Sequence, residues 1–207
     1  MKNHYETSKG LHLNYSIIAQ YIESNSKILD LGCGEGYLLK LLKDTKNIQG
    51  LGIEINQENV ITSISKGLSV IQGNIDEGLK QFGDKSYDYV VLDTTLQNTN
   101  NPYYVIQEML RVGKKCIISF PNFAYWRIRL YLMLKGRMPK SKVLPFEWYN
   151  TPNIHLLTIK DFFDLIKKEN IQIIDKIYST RAEERNGILS NLFPNFFAQE
   201  AIFVISK

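Results

Sequence analysis

"ILDLGCGEGYLLKLL", residues Ile28 to Leu42, places three glycines within five positions between two apolar runs. The first run, read with its flanking lysine as KILDL, has the composition of a strand covered on both faces. The second, YLLKLLK, repeats its leucines at helical spacing. Gly32, Gly34 and Gly36 therefore fall in a strand-to-helix turn, and ligands of open α/β sheets bind just outside the carboxyl ends of strands. Glycine there permits φ > 0 and lets a ligand touch the main chain. A dinucleotide site would carry G-x-G-x-x-G, and counting from Gly32 its third glycine would be position 37, which is Tyr37. The pattern is instead Asp30-x-Gly32-x-Gly34-x-Gly36, with Cys33 inside it.

Working outward, short β-type runs recur as IQGLGIEI, LSVIQG, YDYVVLD, KKCIISF, IQIIDKIY and AIFVIS. Helical patterns lie between several of them. Asn56 is placed to cap a helix reaching to about Lys66. Pro102 opens another that carries Val105, Ile106, Met109 and Leu110 at helical spacing. Strands alternating with helices predict a parallel sheet in a three-layer α/β domain, and residues 1–207 read as one domain. The second strand ends in Glu54, 18 residues after Gly36. An acid at that point can accept bonds from both hydroxyls of a ribose.

The Asp30–Gly36 turn resembles the first motif of class I S-adenosylmethionine methyltransferases. That resemblance implies a doubly wound, Rossmann-like sheet of about seven strands, mostly parallel with the last antiparallel. It also implies S-adenosylmethionine (or S-adenosylhomocysteine) as cofactor. Its amino-acid portion would lie on Asp30, Gly32, Cys33, Gly34 and Gly36, its ribose on Glu54, and its adenine beside Ile55, Asn74 and Ile75. The family usually has aspartate where Asn74 stands; asparagine keeps a carbonyl and an amide for reading the adenine edge, without charge.

A narrower resemblance follows from "EINQENV", "KGLSVIQGNIDEGLKQF", "EMLRVGKK", "SFPNFAYWRIRLYLMLKGRMP" and "LPFEWYNTPNIHLLTIKDF". Together they resemble the methionine biosynthesis protein MetW family. The resemblance implies a role in methionine synthesis together with homoserine O-acyltransferase (MetX) as partner. It does not establish methyl transfer, and a small-molecule acceptor or, further off, an RNA acceptor stays open. Methyl transfer from a sulfonium needs alignment first and a general base only where the nucleophile must lose a proton. Asp93, at the end of VVLD, and His155, in TPNIHLL, are the candidate catalytic groups, and Asp93 could equally help seat the cofactor. The Asn/Asp-Pro-Pro-Tyr motif of amide and nucleobase methyltransferases is absent. No nucleophile elbow appears, which excludes the acyltransferase itself, and no His, Cys, Asp or Glu set has metal-ligand spacing. His4 and His12 are isolated.

The whole chain of 207 residues is 44% hydrophobic and 22% charged, with a net charge of +4. No apolar run approaches the ~20 residues of a membrane span, and the first residues lack the apolar core of a secretory signal. Two cysteines, Cys33 and Cys116, make no disulfide framework, so a cytoplasmic location is the expectation. The charge is unevenly spread. Residues 121–160 hold seven Lys or Arg against Glu147 alone, a balance of +6 that leaves the remainder at −2. Both tryptophans, Trp126 and Trp148, lie in the same stretch. A helix is expected from Phe123 to about Lys135, capped by Asn122 and stopped by Gly136, with apolar residues on two faces. Such a helix needs more cover than its own sheet. Residues 121–152 accordingly read as an inserted lid or a partner-binding segment, with membrane and nucleic-acid binding disfavoured.

Overall fold

Strand β1 (Lys27–Leu31) is the centre of the architecture. Ile28, Leu29 and Leu31 lose all contact with solvent, and each such side chain stabilises by roughly 1.5–3 kcal/mol. In the computed structural model, which describes residues 8–141, 144–180, 184–185 and 188–207, seven more strands follow. They are β2 (Gln49–Glu54), β3 (Ser69–Gln72), β4 (Tyr87–Asp93), β5 (Gly113–Pro121), β6 (Gln172–Thr180), β7 (Glu184–Arg185) and β8 (Glu200–Ser206). His4 and Lys142 lie outside the described residues, as does the His12 side chain.

The strands form one sheet in the order β3-β2-β1-β4-β5-β8-β6-β7. β3, β2, β1, β4 and β5 pair in parallel. The last strand, β8, inserts antiparallel between β5 and β6, as the resemblance implied. Seven strands of four or more residues match the expected number; the two-residue β7 adds an eighth at the edge. β1 hands on to β2 on one side and to β4 on the other, so the chain changes direction across the sheet between them. That is the topological switch point at which such sheets hold ligands.

Alternation along β1 divides the core. Leu29 and Leu31 join Val90, Leu92, Phe120 and Phe203 under α4 (Pro102–Val112) and α6 (Ile159–Lys168). Ile28 faces the other layer, where α1 (Ser8–Tyr21), α2 (Tyr37–Lys46) and α3 (Gln57–Ser65) supply Ile17, Ile18, Leu38, Leu39, Leu42 and Val60. Asn56 caps α3 as its position suggests, accepting from the Glu58 and Asn59 amides, and Pro102 opens α4 behind an Asn101 cap. Helix α6 begins with a reciprocal Thr158–Asp161 capping box; caps of this kind contribute about 1 kcal/mol each.

One expectation is overturned. The helix after β5, α5 (Trp126–Lys135), starts three residues later than the sequence suggests, and Asn122 is not its cap. Asn122 is fully buried and works instead as a pin. Its amide nitrogen donates to the carbonyls of Ala198 at 2.8 Å and Asn195 at 3.2 Å, while its oxygen accepts from Ala124 N at 3.0 Å. A side chain committed to a distant segment cannot also close the first turn of α5. Gly136 does stop the helix, at φ 58° with its N–H on Leu132 O. Two short helices, α7 (Ile188–Leu192) and α8 (Pro194–Phe197), complete the segment that Asn122 holds.

Candidate functional site

The three glycines of the β1–α2 turn all adopt positive φ: 69° at Gly32, 54° at Gly34 and 75° at Gly36. What they avoid differs, however. A Cβ on Gly32 would lie 2.7 Å from Thr95 Cγ2, and one on Gly36 would collide with Leu68 and stand 2.9 Å from Ser63 Oγ. A Cβ on Gly34 would meet no atom of the described residues within 4 Å. Gly32 and Gly36 are therefore required by the protein's own packing, and only Gly34 opens onto free space. Packing within the protein thus accounts for Gly32 and Gly36, and of the three only Gly34 is left for a ligand to explain.

Cys33 turns away from that space. Its side chain is buried against Leu39 and Gly52 in the α1–α2–α3 layer, and burial pushes its thiol well above the ordinary range. It contributes main chain to the turn, with its N–H on Ile53 O at 3.1 Å, and it is no nucleophile.

Glu54 ends β2 beside the turn. One carboxylate oxygen accepts from Gly34 N–H at 2.8 Å and the other from Asn56 N–H at 2.8 Å. A carboxylate offers about four acceptor positions, so two remain. Ile55 follows it as a 64% exposed apolar side chain. Asn74 and Ile75, in the turn after β3, behave differently. Asn74 accepts from Asp76 N at 3.0 Å and caps a one-turn helix, which occupies its carbonyl oxygen. Ile75 is buried in the core under α4 rather than facing the crevice.

Asp30 is 3% exposed and lies on the α1 side of β1. Burial, reinforced by Asp93 and Glu54, pushes its carboxyl up to about 8. Asp93, at the end of β4, is also raised by burial, an effect opposed by bonds from Ser119, Thr94 and Asn14. Among the described residues, no Lys or Arg forms an ion pair with Asp30, Glu54 or Asp93. Three carboxylates without a counter-charge are an environment that favours a positively charged guest.

His155 is held beside Gln97, just after β4, through its backbone. Ile154 N and His155 N both donate to Gln97 O, at 2.8 and 3.0 Å, and Phe123 N donates to Leu157 O at 3.2 Å. Residues 154–157 thus run across the carboxyl ends of β4 and β5. Sequence reading missed Asn14 and Tyr15 of α1, Ser119 and Gln97. Burial, with the charges of Asp93 and Asp30, pushes the Tyr15 hydroxyl far above its usual range. A polar Ser119 inside the apolar CIISF run was the one signal available.

Residues 121–152 carry a second kind of surface. No residue of α5 is buried, although seven of its ten side chains are apolar. Met133 and Leu134 are 74% and 67% exposed, and Trp148 and Tyr149 stand out beyond them. Trp126 is half-buried with the Arg127 guanidinium 5.2 Å from its ring centre.

A glycine turn at the switch point of a 3-2-1-4-5 sheet, closed by an antiparallel strand between β5 and β6, defines the class I methyltransferase architecture. Solved structures agree. A SAM-dependent methyltransferase from Mesorhizobium loti superposes with a TM-score of 0.68 over 93% of this chain and 96% of that one, at 13% identity. The [4+2]-cyclase SpnF superposes with a TM-score of 0.69 over 100% and 84%, at 16% identity. At such identities the likeness is one of fold, and a cyclase among the neighbours shows that the fold does not dictate the reaction.

Residues 12–205 match the family model "Methionine biosynthesis protein MetW", and the chain belongs to that family. It is 38% identical over 206 residues to the bifunctional methionine biosynthesis protein MetXA/MetW of Rhodopirellula baltica. That alignment covers 95% of this chain but spans only 33% of the relative. Among the described residues no helix is long and apolar enough to cross a membrane, and no group of His, Cys, Asp or Glu could hold a metal ion.

Proposed function

We propose that the chain binds S-adenosylmethionine or S-adenosylhomocysteine at the carboxyl end of β1 and acts in methionine synthesis beside a homoserine O-acyltransferase. The observation that carries the first half is the open face of Gly34 set among Asp30, Glu54 and Asp93, which form no ion pair with a Lys or Arg among the described residues. The cofactor brings a sulfonium and an ammonium, so its charge suits these acids. Asp30 and the turn would hold its amino-acid end, and Glu54 has two acceptor positions left for the ribose hydroxyls. Exposed Ile55 would lie on the adenine. The adenine edge is left to the Asn74 amide nitrogen, since its oxygen is engaged, and Ile75 supports that turn from the core.

Bound there, the cofactor would supply a methyl group activated for in-line displacement. The chain's own contribution would be to orient it and exclude water, and alignment alone is worth up to ~7–11 kcal/mol. Asp93 is tied to Ser119 and Thr94, which supports a positioning role over that of a free base.

The second half rests on the Rhodopirellula baltica relative, named for both activities, in which a MetW-like segment shares one polypeptide with MetXA. The uncovered α5 supports reading residues 121–152 as the docking segment rather than a lid, because a lid closed on its own domain would be buried there. The test is titration calorimetry with S-adenosylhomocysteine, together with co-purification of this chain with the acyltransferase and acyl-transfer assays with and without S-adenosylmethionine. Micromolar binding, a stable complex and faster acyl transfer are expected. No heat of binding would remove the first half, and an acyltransferase indifferent to the chain would remove the second.

A further inference from the structure

A continuous chain of hydrogen bonds ends β4. The Asn14 side chain bonds Asp93, and Asp93 accepts from Ser119 and from Thr94 Oγ1 at 3.4 Å. The Thr94 carbonyl accepts Gln97 Nε2 at 2.7 Å, and the Gln97 carbonyl accepts the His155 amide at 3.0 Å. Asn14 and Gln97 are 3% and 2% exposed. Yet Asn14 Oδ1, Gln97 Oε1 and His155 Nε2 are buried with no hydrogen-bond partner among the described residues. Buried polar atoms are nearly always paired, so two orphans on side chains of this network, and a third on the side chain of the residue whose amide ends it, require an explanation.

The orientation of both amides is fixed by their partners. Asn14 lends its nitrogen to a carboxylate and Gln97 its nitrogen to a carbonyl, and both of those accept only. What remains in each case is an oxygen, which must receive an N–H or O–H from elsewhere. The surrounding charge selects further. Asp93, which Asn14 bonds, and Asp30 beside it form no ion pair with a Lys or Arg among the described residues, and an anion would be repelled. Gln97 and His155 stand at the ends of β4 and β5, on the side of the crevice away from Glu54 and β2.

We propose that Asn14, Gln97 and His155 form an acceptor subsite for a small amino alcohol, with its ammonium and hydroxyl donors directed to the orphaned atoms. This rests on the cofactor reading above, because the subsite borders the place assigned to the cofactor. The cofactor's own ammonium offers part of the same chemistry, so the test separates the two sources.

Ethanolamine is titrated into the full chain saturated with S-adenosylhomocysteine, with acetate as the anionic control, and the amide NMR signals of residues 94–98 and 154–156 are followed. The expected result is a saturable response to ethanolamine and none to acetate. In Gln97→Met and in His155→Leu the ethanolamine Kd should rise at least tenfold while S-adenosylhomocysteine affinity stays within twofold of wild type. Circular dichroism checks each fold, and His155→Leu keeps the backbone bond to Gln97 should the buried Gln97→Met fail. No saturable response, an equal response to acetate, or an unchanged Kd in the folded variants overturns the proposal. Loss of S-adenosylhomocysteine affinity matching the loss for ethanolamine assigns the orphans to the cofactor and likewise overturns it. Should wild type not bind S-adenosylhomocysteine, the cofactor reading fails on its own, and ethanolamine titrated into the free chain decides the subsite by the same criteria.

Discussion

The Glu54 carboxylate reaches back 20 residues to hold the Gly34 amide at 2.8 Å, and its other oxygen holds the Asn56 amide that opens α3. One side chain thus shapes the turn and ties it to the next helix. Hydrogen bonds to charged groups contribute about 1.5–3 kcal/mol. Glu54→Ala should weaken S-adenosylhomocysteine binding about tenfold to a hundredfold by calorimetry and also lower the melting temperature. Glu54→Gln retains one acceptor oxygen and should fall between. A Glu54→Ala protein with wild-type affinity would take Glu54 out of the site.

The glycines divide by what surrounds them. Gly32→Ala and Gly36→Ala place a methyl group against Thr95 and against Leu68 and Ser63. Overpacking of this kind costs about 1–3 kcal/mol, before the penalty for positive φ. Both variants should melt clearly below wild type. The Cβ of Gly34→Val meets no described atom within 4 Å, so the main cost is the backbone penalty, and the variant should stay folded yet bind S-adenosylhomocysteine at least ~10-fold more weakly. A folded Gly34→Val protein that binds normally would show that nothing docks on that face of the turn.

Asp30 predicts a pH dependence. Burial, with Asp93 and Glu54, raises its carboxyl from 3.8 to about 8. The folded state therefore holds the proton more tightly than the unfolded chain. The stability this gives is complete below about pH 4 and is lost as the pH climbs through 8. At ~1.4 kcal/mol per pH unit the loss is on the order of a few kcal/mol. Asp30→Asn stays neutral, so without ligand it should melt at least ~3 °C above wild type at pH 8 and near it at pH 4. A cationic ligand favours ionised Asp30, so the same variant should bind S-adenosylmethionine more weakly at pH 8. Equal melting of the two proteins at pH 8 would contradict a buried, uncompensated carboxyl.

How much of this was legible in the sequence follows from the range of the forces involved. β1 and β4 were readable to the residue, because strands buried on both faces show continuous apolar runs. So were the Asn56 cap and the Pro102 opening of α4, which depend on neighbours a few positions away. The reason for Gly32 was not, because the atom it avoids belongs to Thr95, 63 residues on. Helix α1 escaped notice because SKGLHLNYSIIAQY holds a glycine and has neither an acid in its first turn nor a base in its last. With it went Asn14 and Tyr15, which reach the carboxylates only once the helix has packed. Asn122 was misread for a related reason: a local cap and a distant pin have the same signature in one dimension.

The last prediction concerns α5. Arg129 looks like a free surface cation in the sequence, but its Nε donates to Ala124 O at 2.5 Å, Nη2 reaches Asn195 O at 3.4 Å, and the guanidinium lies 5.5 Å from the Phe196 ring centre. It braces α5 against α8, and Arg129→Glu would disturb that bracing as well as any interface. Met133 and Leu134 are cleaner probes, since they are the most exposed apolar side chains on the helix. Replacing exposed residues away from caps and cores usually changes stability by no more than ~0.5 kcal/mol. Met133→Asp with Leu134→Asp should therefore melt like wild type and bind S-adenosylhomocysteine unchanged. Anchors at the centre of an interface are worth 2 kcal/mol or more, about 30-fold in affinity. The double variant should accordingly lose co-purification with homoserine O-acyltransferase and any stimulation of acyl transfer. A folded double variant that still co-purifies in full would move the docking surface off α5 and return residues 121–152 to the role of a lid.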